Sequence, residues 1–423
     1  MIRRRFPIII LTTLCLLFTL LGQEPLEPNN DALTLEQCIY LALQQNPLIL
    51  SSQQQYYASL ARVNQAKALP QPSIAYDSDL QPKFLNFKDS GESYFGISQS
   101  IEFPGKRYLR GKIASKESNE ILQEIELLKL DIVFLVKQAF YGLLLSQEKL
   151  KYVQQDLELS QDFLKKAELK FDAGDVAKVE VLRARVEASK AATEARSATN
   201  EVRLAKAMLN FLLARKKYTP LEIKGKLKRP SASFDFDELI QRALSFRPEI
   251  KKINFSLERE NLTKKQAYLG YLPDFELGVS RHRIEGEGKW WDVTLSFPIP
   301  LFFWQPKKGE IAEAQANIES LKRETEYLKN SITLEVEEAY LNALASDNQI
   351  KLFEDEILTQ AEEVYNMFFF SYQEGEIGAI ELIEARRTLI EARKSYADAL
   401  YNYGVALATL EKSIGQKFEG DEQ

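Results

Sequence analysis

Two proline-free stretches constrain this chain more than any other feature. No proline occurs between Pro104 and Pro220, and none follows Pro306. Proline inside a helix costs about 3 kcal/mol, so very long helices can run in these two places. Apolar residues recur there at heptad spacing, Ile121, Leu128 and Leu135 interleaving with Ile125, Ile132 and Ala139. The later stretch shows Ile311, Ile318 and Ile332 with Leu321 and Leu328. Sustained 3.5-residue periodicity predicts helices packed as coiled coils. A single helix from Arg107 to Lys170 would reach roughly 95 Å at 1.5 Å per residue, longer than an ordinary globular domain. Phe171-Asp172-Ala173-Gly174-Asp175 and Tyr372-Gln373-Glu374-Gly375-Glu376 then end one helix and start a returning one. Gly174 and Gly375 serve the left-handed position after the last helical turn. Each stretch is expected to fold as a long α-hairpin.

The two stretches are copies. Shifting the chain by 201 residues pairs Leu33 with Phe234, Ile39 with Ile240, Ala42-Leu43 with Ala243-Leu244 and Pro47 with Pro248. The same shift pairs Gly174 with Gly375, Asp175 with Glu376, Glu180 with Glu381 and Ala184-Arg185 with Ala385-Arg386. Ala139-Phe140 matches Ala339-Tyr340 at a shift of 200, so a one-residue length change lies between. A register held this far predicts one unit built twice. The expected division is a targeting segment, 1–22, and a single domain, 23–423. Its tandem repeats span about 31–216 and 232–416, with a linker at 217–231.

Each copy also holds a β-like window before its hairpin. Pro72 to Phe84 and Ser93 to Phe103 flank a polar turn, as do Pro273 to Arg283 and Lys289 to Ile299. Trp291, Val293, Leu295 and Phe297 alternate with Asp292, Thr294 and Ser296. Strands of about 10 residues, apolar on one face and polar on the other, fit a transmembrane barrel. Tyr94, Trp290, Trp291, Phe302, Phe303 and Trp304 fit interfacial aromatic girdles. After each window comes a basic pair, Lys106-Arg107 and Lys307-Lys308. Cations at a helix N-terminus oppose the macrodipole, so these four are assigned to lipid phosphate at the membrane interface. Four strands cannot close a barrel, and lipid does not tolerate open edges, so the chain must oligomerise. A dimer gives eight strands and almost no pore; a trimer gives twelve. The expected fold is a mixed α+β membrane protein, its long α-hairpins forming a trimeric helical barrel beneath a 12-stranded β-barrel.

Composition excludes most alternatives. With 61 acidic against 55 basic residues and a net charge of −6, nothing suggests a nucleic-acid partner. One histidine and two cysteines leave no His-based or Cys/His metal site and imply no cofactor. No nucleophile–base pair or phosphate-binding glycine loop appears, so no catalytic residue is assigned and the chain is read as a non-enzyme. His282 reads as an exposed loop residue. Arg3-Arg4-Arg5 followed by uncharged Phe6 to Leu21 reads as a cleaved secretory signal. Cys15 follows the bulky Leu14, unlike a lipidated cysteine, and Cys38 reads as a buried helix residue.

A family resemblance rests on several motifs. Ala243-Leu244-Ser245-Phe246-Arg247-Pro248-Glu249-Ile250 resembles the Ala-Leu-x-x-Arg-Pro-Glu-Ile hallmark of TolC-type outer-membrane efflux proteins. Ala42 to Pro47 is similar to its first-repeat counterpart, and Tyr372-x-x-Gly375 with Ile380-Glu381-Leu382-Ile383-Glu384-Ala385 resembles the family's helical tip. Ala399 to Gly415 resembles the closing segment, and Ser98 to Arg107 is similar to the branch serving heavy-metal exporters of the resistance-nodulation-division type. The resemblance implies an outer-membrane homotrimer of a Gram-negative-type bacterium whose helices extend into the periplasm. It implies partnership with a periplasmic adaptor, an inner-membrane pump and outer-membrane lipid. The implied function is a passive efflux exit duct, with metal cations as a candidate cargo. A type I protein-secretion channel and a periplasmic structural coiled coil are the alternatives.

The resemblance also assigns roles by residue. Glu381 and Glu384, three apart on one helical face, fall at the family's acidic pore constriction. Gly174, Asp175, Glu180, Arg183, Tyr372, Gly375 and Glu376 fall at the periplasmic tip and gate. A pair between Glu180 or Arg183 and the second tip is expected. The family's arginine two residues after the second tip glycine is Ile377 here.

Overall fold

Helix starts follow from local chemistry. Thr34 accepts from the Gln37 backbone while the Gln37 side chain returns to Thr34, a reciprocal capping box. Asn46 and Asp235 cap the helices that follow them, and Pro47 and Pro248 each occupy a first helical turn, where a missing N–H costs nothing.

The computed structural model describes residues 32–80, 90–230, 234–299 and 304–418, apart from the side chains of 304–306. The targeting segment with Cys15, Phe84, the Phe302-Phe303 pair and the Trp304 side chain lie outside the described residues. The first run of elements is α1 (Leu35–Gln45), α2 (Pro47–Ala66), β1 (Ser73–Asp79), β2 (Glu92–Ile101), α3 (Lys106–Ala173) and α4 (Lys178–Leu212). The same order returns as α5 (Phe236–Phe246), α6 (Pro248–Leu269), β3 (Phe275–Ile284), β4 (Gly288–Ser296), α7 (Trp304–Leu352), α8 (Leu358–Glu374) and α9 (Ala379–Ile414). The 68 residues of α3 make a helix roughly 100 Å long. The strands form one antiparallel sheet in the order β1-β2-β3-β4, so the β2–β3 ladder joins the two runs. Among the described residues, no helix is long and apolar enough to cross a membrane.

A π turn over Phe353–Ile357 joins α7 to α8 and has no counterpart in α3. Its i→i+5 bonding takes up one more residue per turn than an α-helix. It sits where the repeat register moves from 200, at Ala139/Ala339, to 201, at Phe171/Tyr372. Arg229 holds this region, donating to Asp347 at 2.6 Å and to Glu354 at 3.3 Å. The Arg229 bonds keep the Asp347 carboxyl below its ordinary range. The Tyr396 hydroxyl donates to Glu354 at 2.8 Å, and burial beside that carboxylate pushes the phenol to about 12.

Two cores flank the long helices. One gathers Cys38, Ile132, Val136, Phe140, Leu143 and Leu209 from α1, α3 and α4; the other gathers Leu239, Ile332, Val336, Leu410 and Ile414 from α5, α7 and α9. Cys38 is fully buried in α1, and burial pushes its thiol to about 12. The connector packs as well: Leu221 is buried in the first core and Ile223 bridges to Leu33. Arg247 is buried at the α5–α6 elbow against Glu249 and Glu335, with Gly415 beside it. A Cβ on Gly415 would lie 3.3 Å from the Arg247 backbone, so the elbow and the end of α9 need this glycine. Lys137 on α3 and Glu411 on α9 form a buried ion pair between the two runs.

Removing one member of that pair strands a buried charge, which typically costs about 3–5 kcal/mol. Glu411→Leu should therefore lower the unfolding midpoint sharply, and the double variant Lys137→Met/Glu411→Leu should recover much of the loss. Chemical denaturation of the three proteins checks this; equal loss in single and double variants would refute the pairing.

Candidate functional site

The sheet has two unlike faces. Partners directly opposite in an antiparallel ladder share a face, and neighbours along a strand alternate. One face carries Ile74, Tyr76, Phe95, Ile97, Ile101, Leu277, Val279, Trp291, Val293 and Leu295, all exposed. The other carries Ser73, Asp77, Asp79, Glu92, Tyr94, Ser98, Glu276, Ser280, His282, Asp292 and Thr294. Contiguous exposed apolar surface of this extent marks a membrane or partner contact. On the polar face the Ser73 and Ser98 hydroxyls lie 2.7 Å apart, and Ser98 donates to Glu276 at 2.5 Å.

This register corrects two sequence readings. His282 lies in β3 rather than a loop, its ring stacked on Tyr94 at 3.9 Å and placed between Glu92 and Asp292. Trp290 and Trp291 are consecutive, so they cannot share a face. Trp291 stands among the apolar residues, and Trp290 pairs with His282 on the polar side.

The basic pairs after the strands are only partly available. Lys106 donates to Asp274 at 2.8 Å and Lys307 to Glu310 at 2.7 Å, whereas Arg107 and Lys308 are exposed. Asp274, unseen in the sequence reading, supplies the anion that a cation at the start of α3 requires.

At the far end, the two helical turns have matching geometry. Gly174 and Gly375 are left-handed, with φ of 85° and 79°. Asp175 N–H donates to Lys170 O and Glu376 N–H to Ser371 O, both at 2.9 Å. Beneath the turns Phe163, Ala167, Val181, Ala184, Tyr372, Ala379, Leu382 and Ile383 form one apolar cluster joining the hairpins. Tyr372 is buried there, 5.5 Å from the Phe163 ring and under the Lys170 ammonium at 4.7 Å. Burial, with the charge of Glu180 adding, raises its phenol pKa. Its hydroxyl has no hydrogen-bond partner among the described residues.

Glu381 is exposed in the first turn of α9, its carboxylate folded back toward Gly378, where the helix N-terminus favours an anion. Glu384 is exposed but accepts from Arg387 at 3.1 Å, and Arg387 also lies 3.5 Å from Glu187 on α4. Glu180 affects the second tip only through its charge on Tyr372, and Arg183 is exposed with no ion pair to that tip among the described residues. The hairpins are instead tied by residues that sequence reasoning left without a role. Arg386, buried, lies 3.1 Å from Asp156 on α3, and Lys394 pairs with Glu194 on α4. The repetition of Ala184-Arg185 as Ala385-Arg386 was their only sequence signal.

Long paired hairpins joined to a sheet with one apolar and one polar face define the architecture, and comparison with known proteins gives the class. The sequence profile described as outer membrane efflux protein matches residues 38–215 and again 239–416, and the chain belongs to that family. It is 24% identical over 412 residues to the cobalt-zinc-cadmium resistance protein CzcC of Cupriavidus metallidurans, covering 93% of each chain. Its fold is similar to that of CusC, with a TM-score of 0.75 at 16% identity over 90% of this chain and 92% of that one. It also matches the outer membrane protein VceC of Vibrio cholerae, with a TM-score of 0.73 at 16% identity over 91% and 97%.

Because its buried hydroxyl lacks a partner within the chain, Tyr372→Phe should leave thermal stability within about 0.5 kcal/mol of the parent or raise it. Tyr372→Ala should cost about 3–5 kcal/mol by emptying the cluster. A loss above 1 kcal/mol for the phenylalanine variant would mean that a second molecule bonds the hydroxyl.

Proposed function

We propose that this protein is the outer-membrane exit duct of a tripartite efflux system and acts as a passive conduit rather than an enzyme. Three chains would close a 12-stranded barrel in the outer membrane, with the long helices forming a tunnel through the periplasm. The observation carrying this reading is the four-stranded sheet, apolar and exposed on one face and polar on the other. Its edge strands β1 and β4 each pair on one side only among the described residues. Pairing β4 of one chain with β1 of the next, three times round, satisfies both edges and turns the polar face toward a lumen.

Glu381 and Glu384 would form the constriction, with six carboxylates around the threefold axis favouring cations. Tyr372, Glu180, Arg183 and the turns at Gly174-Asp175 and Gly375-Glu376 would act as the gate and meet the adaptor. Trp291, Arg107, Lys307 and Lys308 would lie at the membrane interface. An adaptor and an inner-membrane pump of the resistance-nodulation-division type would supply selectivity and energy. Similarity to CzcC favours divalent metal cations as cargo.

Reconstituted in a planar bilayer, the protein should conduct with a preference for cations. Glu381→Gln/Glu384→Gln should reduce that preference at least severalfold without disrupting the oligomer. Unchanged selectivity would move the constriction elsewhere. Deletion of the gene should sensitise cells to cobalt, zinc or cadmium; sensitivity to drugs alone, or loss of a secreted protein, would reassign the cargo.

A further inference from the structure

The formal charges of the strands are completely segregated. All five acids, Asp77, Asp79, Glu92, Glu276 and Asp292, stand on the polar face. All three strong bases, Arg281, Arg283 and Lys289, stand on the apolar face. These bases gather at the end of the sheet away from the helices. Arg283 is directly opposite Lys289 in the β3–β4 ladder, and Arg281 is opposite Trp291 in the next row inward. The Arg281 guanidinium lies 5.3 Å from the centre of the Trp291 ring. Further inward on that face come Ile97, Val279 and Val293, then Leu277 and Leu295.

Like charges directly opposite in a ladder destabilise it, and oppositely charged neighbours normally compensate. No acid shares this face. Glu285 and Glu287 lie in the adjoining turn, yet neither forms an ion pair with the three bases among the described residues. A matching anion would therefore come from outside the chain. An apolar band, then a tryptophan, then a cationic row is the order in which lipid tails, interface and headgroups succeed one another. Guanidinium groups bind phosphate in a bidentate manner, and opposite residues at Cβ separations of about 5 Å can share one phosphate group.

We infer that Arg281, Arg283 and Lys289, backed by Trp291, bind the phosphorylated headgroup of a lipid in the leaflet remote from the helices. The inference rests on the barrel reading above, which turns the apolar face toward lipid. The occupant is a phosphate-bearing glycolipid, because the neighbouring Ser93, on the same face, offers a hydroxyl suited to sugar rather than to a further charge. Three chains would present three such patches, anchoring the barrel against tilt.

The test uses the full-length protein purified in mild detergent and incorporated into nanodiscs. Binding of a bisphosphorylated glycolipid and of its dephosphorylated form would be compared by native mass spectrometry. The parent protein should retain the phosphorylated lipid at least tenfold better, and retention should weaken as ionic strength rises. Arg281→Gln/Arg283→Gln/Lys289→Gln should abolish the difference while oligomeric mass and conductance stay unchanged. Arg323→Gln, on the exposed helical surface, should have no effect. If the triple variant does not assemble, Arg283→Gln alone should still lower retention severalfold. Equal retention of both lipids by the parent, or undiminished retention by the variants, would overturn the lipid site and leave the barrel standing. Failure of the parent itself to enter the nanodisc as an oligomer would overturn both.

Discussion

The rest of the structure depends on the sheet, whose four strands expose large apolar side chains on one face. Water disfavours that face, because apolar area removed from water is worth roughly 25 cal/mol per Å². Lipid would accept it, but cannot hydrogen-bond the edges of β1 and β4, which have no strand partner among the described residues. A closed assembly of several chains, as proposed, would meet both demands. The proposed trimer thus follows from backbone hydrogen bonding as much as from side-chain chemistry. In the proposed trimer the helical part shares that arrangement: α3 leaves β2 after a short turn and α7 follows β4, so the strands and helices of each run would go round the axis together.

The helical tips combine a small apolar cluster with mostly exposed ion pairs. Their apolar cluster is small and is ringed by partly exposed ion pairs such as Arg387–Glu384 and Arg185–Glu168. Exposed pairs of this kind contribute at most about 1 kcal/mol each. Next to this cluster, the buried Arg386–Asp156 pair adds one tie that solvent does not screen. By contrast, the buried Lys137–Glu411 pair and the Arg247 elbow lie against the main cores, where breaking them would be costly. The buried Lys137–Glu411 pair and the Arg247 elbow thus tie the main cores, while most ion pairs at the tip are exposed.

Much of the architecture was legible because it depends on periodicity and punctuation. Proline placement bounded the long helices, Gly174 and Gly375 marked their turns, and alternation at Trp291, Val293 and Leu295 marked a strand. The π turn was less legible: it appeared in the sequence only as a change of shift from 200 to 201, with no residue type to locate it. The candidate site divided in the same way. The sequence could place Glu381 and Glu384 on one face of a helix, since that follows from 3.6 residues per turn. It could not reveal that Asp274 would occupy Lys106, because that contact joins distant segments; the i,i+3 spacing of Glu384 and Arg387 permits their pairing without requiring it.

By itself, then, the sequence determined the elements, their repetition, their order and the alternation that makes the strands amphipathic. All of these are set by interactions among residues close along the chain. Only the tertiary structure decided the strand register, and with it the separation of Trp290 from Trp291 and of every strand carboxylate from every strand base. Register is a relation between strands, and a slip of one residue would exchange the two faces. The tertiary structure also moved His282 from a supposed loop into the polar face, against Tyr94, and seated Tyr372 beneath both tips. Those positions arise from packing between helices and strands that meet only when the chain has folded.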